Sequence, residues 1–239
     1  MHDDNDLRAR VAANLADVRA NIASAARRAG RAEEEITLVA VTKTVGANAV
    51  RAAIDCGIKV IGESRVQEAQ EKFRALGGLG GAEWHFIGPL QKNKVKYLFD
   101  MFSMVHSVDS FDLAAEIGKR AAGRGAVMPI LLEVNIGEEG SKHGVPPLDA
   151  EEAARQIAGL AGVRLAGLMA IPPFTDDPEA SRPHFRRLMD IRHGLERLKL
   201  ENASFNVLSF GMTGDYAVAI EEGATHVRIG TGIFGERKT

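Results

Sequence analysis

The stretch ITLVAVTKTVGANAVRAAIDCGIKVIG, residues 36–62, contains one complete unit of the predicted fold. An apolar run covers residues 36–42, an amphipathic helical pattern covers residues 48–55, and a second apolar run covers residues 59–62. A strand, a crossover helix and a second strand form a parallel pair with the helix packed on one face. This stretch therefore predicts an α/β protein with a parallel sheet.

The same alternation continues along the chain. Eight apolar runs have the length of buried strands, at residues 36–42, 59–62, 84–87, 104–108, 130–135, 164–169, 207–210 and 226–229. Amphipathic patterns lie between most of them, at residues 48–55, 66–76, 111–122, 150–160, 178–200 and 216–222. Eight such strands close a single TIM-type (β/α)8 barrel, whose typical size is ~250 residues. The alternative is an open doubly wound sheet, and the absence of a Gly-x-Gly-x-x-Gly turn after the first run favours the barrel.

The segment before this alternation, residues 1–34, predicts an extra N-terminal helix that packs on the barrel. Its apolar residues recur at steps of three and four on one helical face, at Leu7, Val11, Leu15, Val18 and Ile22. Gly30 is the predicted stop of this helix. No linker follows, so we expect residues 1–239 to form one domain. The apolar face also leaves open a weak pairing with a second chain, although we favour a monomer.

The composition limits the class of protein. Of the 239 residues, 45% are hydrophobic and 26% are charged, which is typical of a globular domain. The net charge of −2 argues against nucleic acid or an anionic membrane as a partner. The segment MHDDND, residues 1–6, lacks the layout of a signal peptide, and no apolar run approaches the ~20 residues that span a bilayer. We therefore expect a cytoplasmic protein without a membrane partner.

Active residues of such barrels lie at the carboxyl ends of the strands. This rule selects Lys43, Glu63, His85, His106, Asn135, Met169, Ser209 and Arg228. Lys43 shares a strand face with Val39 and Val41, and if that face points into the barrel, its ammonium enters a partly desolvated place. Partial desolvation there favours the neutral amine, which attacks an aldehyde to form a Schiff base. The alternative is a lysine that extends along the strand end into water.

Two turns rich in glycine and hydroxyl residues follow the seventh and eighth runs. They read SFGMTG at residues 209–214 and RIGTG at residues 228–232. Glycine lets the backbone approach an anion, and the loops after strands seven and eight are the usual phosphate site of this barrel. Such turns are also common connectors. Arg228 is a candidate to bind the phosphate or another part of the ligand, and an ion pair with Glu133 is the structural alternative.

Other kinds of site have little support in the sequence. The histidines at 85, 106 and 226 lie on different strands without metal-ligand spacing, and a structural role is the simpler interpretation. Cys56 is the single cysteine, which excludes an intramolecular disulfide, and we interpret it as a buried helical residue. No Gly-x-Ser-x-Gly motif is present, so a serine hydrolase is not indicated.

Several separate motifs together resemble the pyridoxal phosphate homeostasis protein family (the YggS/PROSC family). The resemblance extends from residue 36 to residue 237, and its HFIGPLQ and RIGT blocks are the most specific. The matching blocks are VTKT at 41–44, IGE at 61–63, WHFIGPLQKNK at 84–94, VNI at 134–136, SKHG at 141–144, GLMAIP at 167–172 and RIGTGIFG at 228–235.

The resemblance implies a fold and a set of ligand contacts. It implies a barrel like the N-terminal domain of bacterial alanine racemase, with pyridoxal 5′-phosphate (PLP) held as a Schiff base on Lys43. It also implies that the phosphate is surrounded by Ser209, Gly211, Thr213, Gly230 and Thr231. Arg228 is then expected to face the pyridine nitrogen, where an arginine leaves the nitrogen unprotonated and the ring a weaker electron sink.

Two departures from the family pattern bear on this site. The family usually has Gly-Glu-Asn followed by an aromatic residue, whereas Ser64 and Arg65 follow Glu63 here. This change puts one contact, and with it the affinity for PLP, in question. The phosphate loop of the family often reads Ser-Met-Gly-Met-Ser, and here it ends in Thr213, which keeps the hydroxyl group.

The resemblance also bears on catalysis. Racemases of this type use a tyrosine from a second domain as the second base, and this chain ends at Thr239, so we expect no such domain. Its two tyrosines, Tyr97 and Tyr216, are not at predicted strand ends. We therefore expect a non-catalytic protein that buffers PLP or delivers it to PLP-dependent apo-enzymes. The alternatives are a single-domain PLP-dependent amino-acid racemase and a Schiff-base aldolase that acts on a sugar phosphate.

Overall fold

The computed structural model describes residues 2–138 and 143–236. Its eight strands are β1 (Thr37–Val41), β2 (Val60–Glu63), β3 (Glu83–Phe86), β4 (Met104–Val108), β5 (Met128–Glu133), β6 (Val163–Met169), β7 (Ala203–Met212) and β8 (His226–Ile229). Every strand pairs in parallel with its neighbour in sequence, and β1 pairs with β8, where Val39 lies opposite Arg228. The strands therefore close a barrel, which confirms the predicted (β/α)8 fold.

The helices surround this barrel. They are α1 (His2–Arg28), α2 (Ala47–Asp55), α3 (Val66–Leu76), α4 (Phe111–Ala122), α5 (Ala150–Ala158), α6 (Arg182–Glu196), α7 (Tyr216–Glu221) and α8 (Thr231–Phe234). The sequence pattern predicted α3 and α4 with the same bounds. The pattern over residues 178–200 was less accurate, because a short 3-10 helix (Pro178–Ser181) precedes α6. The Asp177 carboxylate caps that turn by accepting the Glu179 N–H at 3.0 Å.

The extra N-terminal helix, α1, lies in the outer layer of helices near the seam between β8 and β1. Its apolar face is buried through Val11, Leu15, Val18 and Ile22, and it contacts α2, α7 and α8. The Asn14 side-chain amide donates to the carbonyl of Ile233 in α8 at 2.9 Å. Because α8 has only four residues, α1 completes the layer there. Within the described residues, no helix is both long and apolar enough to cross a membrane.

The barrel interior has an apolar half and a polar half. Side chains from strands β4 to β7 and from the loop after β6 form a separate apolar cluster, made of Met104, Leu131, Ala166, Met169, Ile171 and Val207. The polar half is buried as well and contains His85, His106, Ser209, Arg228 and most of His226. Large residues on the strand faces that point out of the barrel, such as Trp84 and Phe210, pack against the helices. The strands therefore present polar side chains to one side of the interior, beneath the carboxyl ends.

Candidate functional site

A cavity of about 420 Å³ opens at the carboxyl ends of the strands. It is lined by Val41, Lys43, Ser64, Ile87, Ile171, Pro172, Pro173, Phe174, Thr175, Met212, Thr213, Gly214, Asp215, Arg228, Gly230 and Thr231. Five of the seven site residues predicted from the sequence are in this set, namely Lys43, Thr213, Arg228, Gly230 and Thr231. The structure therefore brings the lysine together with the two turns that follow β7 and β8.

Lys43 lies just beyond the end of β1, where the chain leaves the barrel. It shares a strand face with Val41, and both residues line the cavity. The next residue, Thr44, has a φ of 64°, a left-handed conformation that β-branched residues rarely adopt. The Thr44 hydroxyl donates to the carbonyl oxygen of Lys43 at 2.6 Å. Backbone strain is thus held directly next to the candidate lysine.

A buried charge network behind the cavity holds the residues on both sides of this lysine. On the outer side of the barrel, the Glu63 carboxylate accepts hydrogen bonds from the Thr42 hydroxyl at 2.5 Å and from the Lys72 ammonium at 2.6 Å. Lys72 also donates to the carbonyl of Thr42 at 2.5 Å and to Glu68 at 2.7 Å. Glu68 in turn accepts the backbone N–H of Thr44. The backbone at the lysine is therefore positioned by charged residues that do not line the cavity.

The turn after β7 is held by the buried Asp215. One carboxylate oxygen accepts the Met212 N–H at 2.6 Å, and the other accepts the Ser181 hydroxyl at 3.1 Å. The hydroxyl groups of Thr213 and Thr231 are 3.2 Å apart, so the two turns meet at one point of the cavity wall. Hydroxyl groups and glycine-containing backbone that converge in this way suit an anion with several oxygens.

Arg228 projects from β8 into the barrel and is only 5% exposed. Its Nη1 donates to the carbonyl oxygen of Ser209 at 2.7 Å and to the Ser209 hydroxyl at 2.6 Å, and its Nη2 donates to the carbonyl of Ala170 at 3.1 Å. Burial lowers the pKa of Arg228 to about 10, against the attraction of Glu133 and Asp215. Arg228 is therefore a cation at neutral pH, and its direct partners are Ser209 and Ala170 rather than Glu133.

Two of the predicted phosphate residues do not line the cavity. Ser209 is fully buried, and its hydroxyl lies between Arg228 and the Nδ1 of His106, at 2.9 Å from that nitrogen. Gly211 has a φ of 89°, and a Cβ atom there would collide with Ala219 in α7. The structure thus places Ser209 behind Arg228, and Gly211 is required by the turn and its packing.

Three histidines pack together in the polar half of the barrel. The Nε2 of His106 lies 3.0 Å from the Nδ1 of His85, and the rings of His85 and His226 stack with centroids 6.1 Å apart. Burial lowers the pKa of His85 and of His226 to about 4 and holds the pKa of His106 well below its usual range. All three are therefore neutral at pH 7. In the described part of the chain, no three His, Cys, Asp or Glu side chains are grouped to hold a metal ion.

Ser64 and Arg65, which depart from the family pattern after Glu63, have different surroundings. Ser64 lines the main cavity, and a Cβ atom on Gly88 would collide with the Ser64 backbone. Arg65 instead lines a separate surface groove together with Lys94 and precedes the first residue of α3. Of these two residues, only Ser64 belongs to the wall of the main cavity.

Sequence reasoning missed several residues that shape this site. Lys72 shares the buried face of α3 with Val66, Ala69 and Leu76, and a lysine on an apolar helical face is a signal that could have been read. Asp215 immediately precedes α7, which is also a recognisable signal. Phe174 is 92% exposed at the cavity, and no periodic pattern marks its loop.

Comparisons with known proteins agree with this architecture. The model of the family described as alanine racemase, N-terminal domain, matches residues 13–238. The pyridoxal phosphate homeostasis protein of Aquifex aeolicus (strain VF5) is 47% identical over 224 residues, which are 94% of this chain and 97% of that protein. The protein of the same name from Escherichia coli (strain K12) is 41% identical over 230 residues, 95% of this chain and 97% of that protein.

A solved structure extends the comparison to three dimensions. PipY of Synechococcus elongatus PCC7942, solved with PLP bound, matches with a TM-score of 0.82 at 31% identity, covering 94% of this chain and 100% of that chain. Of the residues in the matching stretches, Ser141, Lys142 and Arg237 lie outside the described residues. The resemblance inferred from the motifs is confirmed. This chain belongs to the alanine racemase N-terminal domain family and, within it, to the pyridoxal phosphate homeostasis proteins.

Proposed function

We propose that this protein binds PLP in the main cavity, as a Schiff base on Lys43, and buffers or delivers it without efficient turnover. The observation that carries the proposal is the convergence of Lys43, Arg228 and the Thr213 and Thr231 turns on one cavity of about 420 Å³. The PLP bound to PipY, a relative at 31% identity over its whole length, supports the same ligand.

The residues present fit the three parts of this ligand. The amine of Lys43 suits the aldehyde, and the hydroxyl groups of Thr213 and Thr231, with the glycines beside them, suit the phosphate. Apolar walls at Ile87 and Ile171 suit the faces of a ring. When bound, PLP supplies a reversible carbonyl group and an electron-withdrawing ring. We propose that Gly211 supports the phosphate side through the backbone turn, and that Ser209 acts on the ligand from behind the wall through Arg228.

The charge of Arg228 defines the electronic character of the site. Its guanidinium has donors only, and it stays protonated because its pKa, lowered by burial to about 10, is still far above neutrality. A pyridine nitrogen facing this donor would be left without a proton, so the ring would withdraw electrons weakly. This property favours holding the ligand over transforming it.

The absence of turnover is part of the proposal. Neither Tyr97, which is partly exposed, nor Tyr216, at the start of α7, is among the described residues that line the cavity. A two-base racemisation would need a proton donor on the opposite face of the ligand. The relatives are named as homeostasis proteins rather than as enzymes, which supports a holder. The competing function is a single-domain PLP-dependent amino-acid racemase.

The remaining parts of the proposal concern partners and organisation. We propose that PLP-dependent apo-enzymes receive the cofactor, that the protein works in the cytoplasm as a monomer, and that residues 1–239 form one domain. The packing of α1 against α2, α7 and α8 supports a monomer and a single domain. It covers the apolar face of α1 that could otherwise pair with a second chain.

The absorption spectrum tests the central proposal. We expect PLP to give the wild-type protein a visible Schiff-base band, which Lys43→Ala removes and Lys59→Ala, an exposed lysine at the opposite end of the barrel, leaves unchanged. A wild type that stays colourless and binds no PLP would overturn the proposal. Racemisation of alanine or serine that depends on Lys43 would replace the holder with the racemase. Activity on a sugar phosphate by a colourless protein would favour the aldolase.

A further inference from the structure

A second, smaller cavity lies beside the main one. It has a volume of about 200 Å³ and shares Ile87 and Ile171 with the main cavity, so the two are adjacent. Its other walls come from the ends of β4 and β5 and from the loops after β3 and β5, including Pro89, Ser107, Val134 and His143. We call this space the side chamber.

The unusual feature of the side chamber is Glu133. This residue ends β5 on the same strand face as Leu131, which packs inside the barrel. It is only 7% exposed and lines the side chamber. Among the described residues, no side chain or backbone N–H donates to its carboxylate, and no cation lies within 4.0 Å of it. The carboxylate therefore faces the side chamber without a donor from the described residues, and a donor must come from a molecule in that space.

The charges around Glu133 favour a cation as that ligand. Burial, and then the negative charge of Asp109, raise the pKa of Glu133 to about 7, while Arg228 and His143 act in the opposite direction. The Nδ1 of His143 lies 3.5 Å from the Asp109 carboxylate, so this side chain already has another partner. Glu133 therefore faces a space bounded mainly by aliphatic side chains, and the charge of Asp109 acts on it from outside the lining.

We propose that the side chamber binds the primary ammonium group of a small aliphatic amine or amino acid, with the Glu133 carboxylate as its anchor. The ammonium supplies the donors that Glu133 lacks, and Ile87, Val134 and Ile171 contact the aliphatic part of the ligand. Because Ile87 and Ile171 belong to both cavities, the bound amine lies next to the space that we assign to PLP. Binding itself does not depend on PLP. A role as the amine that meets the cofactor rests on the proposed function.

The binding test uses the full-length, PLP-free protein and propylammonium as the probe, measured by calorimetry. We expect saturable binding of propylammonium, and no comparable binding of propanol or propionate. Glu133→Gln keeps the shape of the side chain and should weaken binding by roughly tenfold or more, as the loss of a hydrogen bond to a charged group does. Asp176→Asn, an exposed carboxylate on the loop near the main cavity, should leave binding unchanged.

A second measurement does not depend on any variant. Only the ionised Glu133 anchors an ammonium, so the affinity of the wild type should fall when the pH is lowered from about 8 to about 6. Equal binding by wild type and Glu133→Gln, equal binding of propanol, or no saturable binding would each overturn the proposal. None of these results would contradict the proposed Schiff base on Lys43, because PLP is absent from the titration.

Discussion

The Lys72 ammonium lies 2.6 Å from the carboxylate of the fully buried Glu63, on the outer side of the barrel and behind the candidate lysine. Burial raises the pKa of Glu63, although the positive charge of Lys72 acts in the opposite direction. The second oxygen of Glu63 has no hydrogen-bond partner among the described residues. The Glu63 carboxylate therefore depends on Lys72 for its compensating charge, and Lys72 joins the strand end at Thr42 to α3.

Lys72→Met should destabilise the protein at neutral pH by about 3–5 kcal/mol, because it leaves a buried carboxylate without its cation. It should also weaken PLP binding, since the backbone on both sides of Lys43 loses a support. Urea denaturation measures the first effect, and titration of the visible band measures the second. The double variant Lys72→Met, Glu63→Gln should recover much of the lost stability.

The same variant predicts a pH dependence. Without Lys72 the pKa of Glu63 rises further above its ordinary value of 4.5, so the folded state binds a proton that the unfolded state has released. The stability of Lys72→Met relative to the wild type should therefore fall as the pH rises above about 4.5. A stability difference that does not vary with pH would contradict a role for the Glu63 charge.

The buried histidines predict an acid sensitivity of the fold. His226 and His85 have pKa values lowered from 6.5 to about 4, so the unfolded state binds more protons between these values. Stability should be lost as the pH falls from about 6.5 to about 4, by up to ~1.4 kcal/mol per pH unit for each group. His226→Met should reduce this slope in urea denaturation curves. His193→Asn, at an exposed position of α6, should not change it, and an unchanged slope in His226→Met would refute the argument.

Ser209→Ala tests whether this serine acts through Arg228. The variant removes one acceptor of the buried guanidinium and one partner of His106, and should cost about 1–3 kcal/mol of stability. PLP affinity should fall as well, because the orientation of Arg228 is less restricted. Ser103→Ala provides the comparison, since its hydroxyl makes only long contacts of 3.4 Å at the other end of β4. If the Ser209→Ala variant has wild-type stability, the backbone carbonyls of Ser209 and Ala170 are sufficient to hold Arg228.

Asp215→Ala tests the phosphate turn separately from the lysine. The variant frees the Met212 N–H and loosens the turn that carries Thr213, so affinity for PLP should fall roughly tenfold. Affinity for pyridoxal, which has no phosphate, should change little. Fluorescence titration with both ligands measures the difference, and Asp190→Asn on the exposed side of α6 is the control. An equal loss for both ligands would mean that the turn does not hold the phosphate.

Much of the fold could be predicted because strand and helix periods are local properties of the chain. The eight strands appeared in order, and α3 and α4 had their observed bounds. The prediction was weaker where a local signal was short. A 3-10 helix (Lys92–Tyr97) connects β3 to β4 where no helix was predicted, and β7 extends over Ala203–Met212 rather than residues 207–210. Cys56, interpreted as buried, lies just after α2 and is partly exposed.

The site was predictable only in part because its contacts join distant strands. Alternation along β1 correctly directed Lys43 to the side of Val41. Alternation alone does not say which inward residue touches which, so the contact of Ser209 with both Arg228 and His106 had no local signal. The same limit applies to Glu133, which was considered as a partner of Arg228 and instead lines the side chamber.

The packing of α1 against α8 has a consequence for how the protein is made. Asn14 donates to Ile233, and Val18 lies within 4 Å of where a Cβ on Gly232 would be, just beyond the Thr231 turn. The α1 helix can pack on α2 early in synthesis, but its contacts with α7 and α8 form only after the last strand has been made. Because the Thr231 turn lies beside these late contacts, we expect the ligand to be acquired only after the barrel has closed.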